Sequence, residues 1–137
     1  MNAEQYTVMA LRTAPITTMK EDLLHAAMGI GGESGEIIDI LKKHHFYGKP
    51  LDNDKVIEEI GDQLWYVNLL IHLLGSTWEE VFEMNVRKLE ARYPNLRFDP
   101  EHAINRDESA EKAAMSGFCA QSLIDDMQRI EDGIKAL

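Results

Sequence analysis

Apolar positions recur every three or four residues along the chain, and the strict alternation of a β-strand is nearly absent. The pattern predicts helices. A first helix starts after Asn2, a good N-cap with Gln5 three positions on, and stops before Pro15. A second spans about Met19 to His45, with Leu23, Leu24, Ala27, Met28, Ile37, Ile38 and Leu41 as its apolar side. "FYGKPLDND" follows as a loop of breakers and caps. The third helix, about Asp54 to Leu74, is the most hydrophobic. "GST" separates it from a fourth, for which Ser76 and Glu79 form a capping box, and Pro94 forbids continuation of the fourth.

Four helices with short connections predict an all-α fold, a four-helix bundle. After Pro100 the chain turns more polar. Ala120, Leu123, Met127, Ile130, Ile134 and Leu137 alternate spacings of three and four, which predicts a C-terminal helical extension serving packing or assembly. The expected division is a domain over 1–98 and the extension over 99–137.

Composition narrows the class. With 137 residues, 45% apolar and 28% charged, the chain suits one globular domain with an appendage. A formal charge of −10 argues against a grip on nucleic-acid backbones. The longest apolar run, Leu64 to Leu74, is interrupted by Asn68 and His72 and is too short to span a bilayer. Cys119 is alone, and "MNAEQYTVMALRT" lacks the basic start and apolar stretch of a signal peptide, so a cytoplasmic protein is expected.

The acids carry the candidate chemistry. Glu33 and Glu36 share a face of the second helix, and Glu59 and Asp62 repeat their spacing on the third. Antiparallel helices would bring the two pairs face to face near mid-helix. Four opposed carboxylates raise one another's pKa unless cations sit between them, and hard oxygen ligands suit Mg²⁺ or Mn²⁺. The same spacing recurs at Glu80–Glu83 and Glu108–Glu111, so Glu33–Glu36 alone also reads as a solvated face. Glu59 and Asp62 lie in a segment too apolar for a wide solvent face, which favours a metal or substrate role there.

Gly29, Gly31, Gly32 and Gly35 crowd the helix around Glu33 and Glu36, and Gly61 sits between Glu59 and Asp62. Missing Cβ atoms allow close approach or leave room for a ligand; a helix break at "GIGG" is the alternative. On the fourth helix Asn85, Lys88 and Arg92 form one polar stripe. It suits phosphate oxygens, or it is a basic helix end favoured by the macrodipole. No Glu-x-x-His pair, Walker loop, Cys/His zinc pattern or nucleophile elbow occurs.

"GESGEIIDILKK", then "EEIGDQLWYV", then "NVRKLEARYP" resemble the MazG-like, all-α nucleoside triphosphate pyrophosphohydrolases in their short, single-domain phage and bacterial form. The resemblance covers roughly residues 1 to 98. The family signature, Glu-x-x-Glu and then Glu-x-x-Asp, is matched by Glu33, Glu36, Glu59 and Asp62 with a spacer of ordinary length. It implies hydrolysis of (d)NTP between the α- and β-phosphates, giving (d)NMP and pyrophosphate in nucleotide-pool house-cleaning.

It also implies that the four acids bind Mg²⁺, with Mn²⁺ a possible substitute, and that Glu36 orients or deprotonates the attacking water. By the same match Asn85, Lys88 and Arg92 hold phosphates, assisted by Lys42 or Lys43. Homodimers or homotetramers are the family's assemblies. His25, Trp65, Tyr66 and the Arg12–Thr13 segment line a nucleobase pocket or belong to the core. Sibling activities on phosphoribosyl-ATP or dUTP use similar acids. A non-catalytic helical interaction module is the reading from another class.

Overall fold

The computed structural model describes residues 1–15 and 17–116. The seam expected over Ala120 to Leu137 lies outside the described residues. Among the described residues there are six helices and no strand, which is the all-α class expected: α1 (Ala3–Leu11), α2 (Met19–Tyr47), α3 (Asn53–Leu73), α4 (Trp78–Arg92), α5 (Pro100–Ile104) and α6 (Glu108–Met115).

Local chemistry accounts for most of the ends. At α1 the Asn2 carboxamide accepts from the Gln5 N–H at 2.8 Å, and Gln5 Oε1 accepts from the Asn2 N–H at 3.0 Å, the reciprocal pair expected. Thr18 caps α2, whose far end closes on Gly48 at φ 65°, a left-handed conformation that glycine adopts without penalty. Asp52 accepts from the Lys55 N–H at 3.0 Å at the start of α3.

The fourth helix begins one residue later than expected. Its capping box is Thr77 with Glu80, not Ser76 with Glu79. The two frames overlap in sequence. The later one lets Glu80 Oε2 accept from both the Thr77 N–H (3.1 Å) and the Ser76 hydroxyl (2.8 Å), so one carboxylate satisfies two donors.

The chain divides into two compact units, Met1–Leu73 and Leu74–Leu137. In the first, α2 and α3 pack along much of their length, and α1 lies on α3. Gly29 faces Tyr66 and Ser34 meets Gln63, so partners descend α3 as they ascend α2: the two helices are antiparallel. The Trp65 indole N–H reaches both the Ala10 carbonyl (3.2 Å) and the Thr13 hydroxyl (2.9 Å), tying the end of α1 to α3. Thr7 Oγ1 lies 2.6 Å from Asn68 Oδ1 on the same interface.

In the second unit, α4 packs against α6. Glu111 of α6 is buried and accepts from Arg92 and Arg106 together. Residues on both sides of the expected 98/99 division are therefore held by one carboxylate.

The buried apolar residues among those described are Ala10, Ala26, Leu69 and Ile71, whereas Asp22, Glu59, Asn68 and Glu111 are buried although polar. The expected apolar side of α2 is covered only in part. Leu23 and Ile37 are half-buried, but Leu24, Met28, Ile38 and Leu41 are exposed, since α3 covers a narrower stripe of α2 than its apolar residues occupy.

Candidate active site

The antiparallel pairing of α2 with α3 brings Glu33 to Glu59 and Asp62. One carboxylate oxygen from each lies within 4.8 Å of those of the other two. Glu59 is buried, Glu33 half-buried and Asp62 exposed, so the cluster runs from the helix interface out to solvent. Burial first, and then the charges of Asp62, Glu59 and Glu36, raise the Glu33 pKa above its ordinary value. The Lys55 ammonium sits 2.9 Å from Glu59 Oε1 and supplies one counter-charge. Beside the acids, Gln63 donates to the Ser34 hydroxyl at 2.6 Å, and that hydroxyl donates to the Ile30 carbonyl at 2.7 Å, which fixes the local register of the two helices.

Three hard oxygen donors gathered within 4.8 Å of one another fit a divalent cation of the Mg²⁺ or Mn²⁺ type. The cation would replace repulsion by attraction.

A cavity of about 360 Å³ opens beside the acids, lined by Glu33, Asp62, Trp65 and Tyr66. Its two rings stand edge to face, with centroids 4.9 Å apart. His25 meets Tyr66 edge-on at 5.4 Å and Trp65 at 6.3 Å. Carboxylates on one wall and fixed aromatic faces on another suit a ligand with a charged, cation-binding end and a ring.

The remaining expected site residues fall as follows. Glu36 is exposed and outside the converging trio, although its charge reaches Glu33. Lys42 lies 2.7 Å from Asp39, which Lys43 also contacts, and hydrogen bonds from both lysines hold the Asp39 pKa down to about 2. Asn85, Lys88 and Arg92 belong to the second unit, the acids to the first. Asn85 is exposed and Lys88 half-buried. The Arg92 guanidinium forks onto Glu111 with both bonds at 2.8 Å, and Arg106 adds bonds of 3.2 and 2.8 Å to the same carboxylate.

The glycines divide sharply. Among the described residues a Cβ at Gly31, Gly32, Gly35 or Gly61 would meet nothing within 4 Å, so the approach of α2 to α3 does not explain these four. A Cβ at Gly29 would overlap the Tyr66 ring. No break occurs at "GIGG", because α2 runs through it. Tyr6 of α1, which no sequence motif singles out, is a half-buried phenol whose pKa is raised by burial and then by the Asp62 charge. No local spacing links Tyr6 to Asp62; only tertiary packing does.

A family model for the MazG nucleotide pyrophosphohydrolase domain matches residues 22–97, the stretch that carries α2, α3 and α4. The chain belongs to that family. It is also similar to the Gene 37 protein of Mycobacterium phage L5, with 33% identity over 76 residues, 53% of this chain and 67% of that protein. No solved structure matches the chain.

Proposed function

We propose that the protein is a Mg²⁺-dependent nucleoside triphosphate pyrophosphohydrolase. It splits a (d)NTP between the α- and β-phosphates into (d)NMP and pyrophosphate, as a house-cleaning step on the cytoplasmic nucleotide pool. The observation that carries this reading is the convergence of Glu33, Glu59 and Asp62, two of which, Glu33 and Asp62, line a cavity walled by Trp65 and Tyr66. The acids would hold Mg²⁺ (or Mn²⁺), which would supply Lewis-acid chemistry for hydrolysis of the phosphate chain. Glu33, Glu59 and Asp62 hold it, with Glu36 either completing the set or orienting and deprotonating the attacking water.

Asn85, Lys88, Arg92 and Lys42 are the proposed phosphate-holding groups. Arg92 already forks onto a carboxylate, and for it to hold phosphate one oxyanion must replace another. Trp65 and Tyr66 receive the nucleoside.

The gathering of Glu59 with Glu33 and Asp62, three acids against the single Lys55 counter-charge, weighs against a non-catalytic helical module, in which a buried acid such as Glu111 is matched by its own cations. A homodimer or homotetramer is part of the same proposal. Its support is the exposure of Leu24 (58%), Met28 (68%), Ile38 (64%) and Ile57 (66%) on α2 and α3, which a second copy would cover. Light scattering of the purified protein reads the assembly directly, and a monomer at micromolar concentration would refute that part.

The chemistry is tested by chromatography of products from an NTP and dNTP panel with Mg²⁺, extended to dUTP and phosphoribosyl-ATP. Monophosphate with pyrophosphate is expected. Diphosphate with orthophosphate would refute the reading, and preference for phosphoribosyl-ATP would assign the sibling activity.

A further inference from the structure

His25, Gly29 and Glu33 succeed one another at intervals of four and so share one face of α2, the face turned to α3. The middle position has no side chain, and the Tyr66 ring fills the space. A Cβ built there would overlap Cγ, Cδ1 and Cε1 of Tyr66, the root and flank of the ring and not its mobile tip. A small rotation about the side-chain torsions does not clear such an overlap; the ring has to leave the helix. Its neighbours leave it little choice of position. His25 and Trp65 both meet it edge-on, and Trp65 is itself tied to the end of α1. The same ring forms a wall of the cavity that Glu33 and Asp62 line.

We propose that Gly29 is a positioning residue for that cavity. By seating the Tyr66 ring against α2, it fixes the wall on which the nucleoside portion of the substrate rests beside the acidic trio. The proposal rests on the nucleotide reading above. It explains why glycine, a poor helix former, stands in the interior of a continuous helix of 29 residues at this position, when Gly31, Gly32 and Gly35 are not under the same steric demand. Gly29 touches no substrate and acts through Tyr66 alone. Its removal therefore alters binding of the ring-bearing part more than the phosphate chemistry.

The test is a double-mutant cycle of Gly29→Ala and Tyr66→Ala in the full chain, read by melting and by steady-state kinetics. Against the Tyr66 ring, Gly29→Ala is expected to lower the melting temperature. In the Tyr66→Ala background the overlap is gone and only alanine's better helix propensity remains, so the same change should raise it. In kinetics, Gly29→Ala should raise KM for the preferred triphosphate roughly tenfold or more while kcat stays within about threefold. The double variant should match Tyr66→Ala in KM, because the glycine acts only through the ring. Should Gly29→Ala fail to fold, recovered folding in the double variant supports the proposal and an equally unfolded double variant overturns it. Active wild type with KM unchanged in Gly29→Ala, or KM effects that multiply in the double variant, would overturn the proposal while leaving the enzyme reading intact. A wild type that hydrolyses no nucleoside triphosphate would overturn the functional reading itself.

Discussion

Replacing Glu59 by glutamine removes the buried charge of the acidic trio while nearly preserving its shape. In the metal-free protein Glu59 faces Glu33 and Asp62 with oxygens within 4.8 Å. At an effective dielectric near 20, two unit charges about 5 Å apart repel by about 3 kcal/mol. Two features reduce the net figure: solvent around exposed Asp62 and the Lys55 ammonium beside Glu59. A gain of about 1–2 kcal/mol on removing the Glu59 charge is a reasonable net figure. For a unit of this size that is a rise of roughly 5–10 °C in melting temperature. Wild type should gain stability from Mg²⁺ by mass action, about 2.7 kcal/mol at a hundredfold excess over Kd, and Glu59→Gln should lose most of that gain. Thermal melts of both proteins in chelator and in millimolar Mg²⁺ give all four numbers. A metal-free Glu59→Gln that melts below wild type, or keeps the full Mg²⁺ response, would refute the view that these carboxylates repel one another and share a cation.

Four further outcomes follow from other parts of the molecule. Glu36→Gln and Asp62→Asn should each lower turnover by about 10²–10⁴-fold with helical circular dichroism unchanged; near wild-type rates in both would remove these acids from the active site. In chelator, the Glu33 contribution should favour the fold at low pH and fade as pH rises through its raised pKa, because the native state holds that proton when the unfolded chain, near its ordinary 4.5, has released it. Melting temperature against pH should show this decline, and Mg²⁺ should abolish it. Glu111 runs the other way. Arg92 and Arg106 hold its pKa below the ordinary 4.5, so its contribution is present above that value and is lost as pH falls below it; Glu111→Gln should lower the melting temperature at neutral pH and blunt the acid loss. Gly31→Ala, with open space around the new methyl group, should stabilise the chain by about 0.5–1 kcal/mol in denaturant titration, and a loss of stability there would reveal a neighbour packed on that face.

The features legible in the sequence are those decided within a few residues. Asn2 with Gln5 is a closed local circuit, and it forms as read. The frame of the α4 cap was ambiguous because Ser76-x-x-Glu79 and Thr77-x-x-Glu80 satisfy the same rule, and a third donor settled it. The apolar flanks that predict little solvent face for Glu59 and Asp62 alike hold for Glu59, which is buried, and fail for Asp62, which is exposed on a helix whose Ile57, Ile60 and Leu64 also face solvent. Contacts across helices were not readable. Four glycines near the acids look alike in sequence, and only the distant Tyr66 singles out Gly29. Arg92 looks like a phosphate ligand from its stripe, since no spacing rule ties it to Glu111.

That shared carboxylate bears on what counts as a module. The matched family segment closes at residue 97, but the guanidinium of Arg92 inside it is neutralised from residue 111. A fragment cut to the boundary of sequence similarity would keep the cation and discard its counter-ion. It would also strip α4 of the helix packed against it, and among the described residues α4 has no buried one. Kinship ends at residue 97, whereas the Arg92–Glu111 pair and the packing of α4 on α6 run past it, so a piece cut at 97 is expected to melt below the full chain.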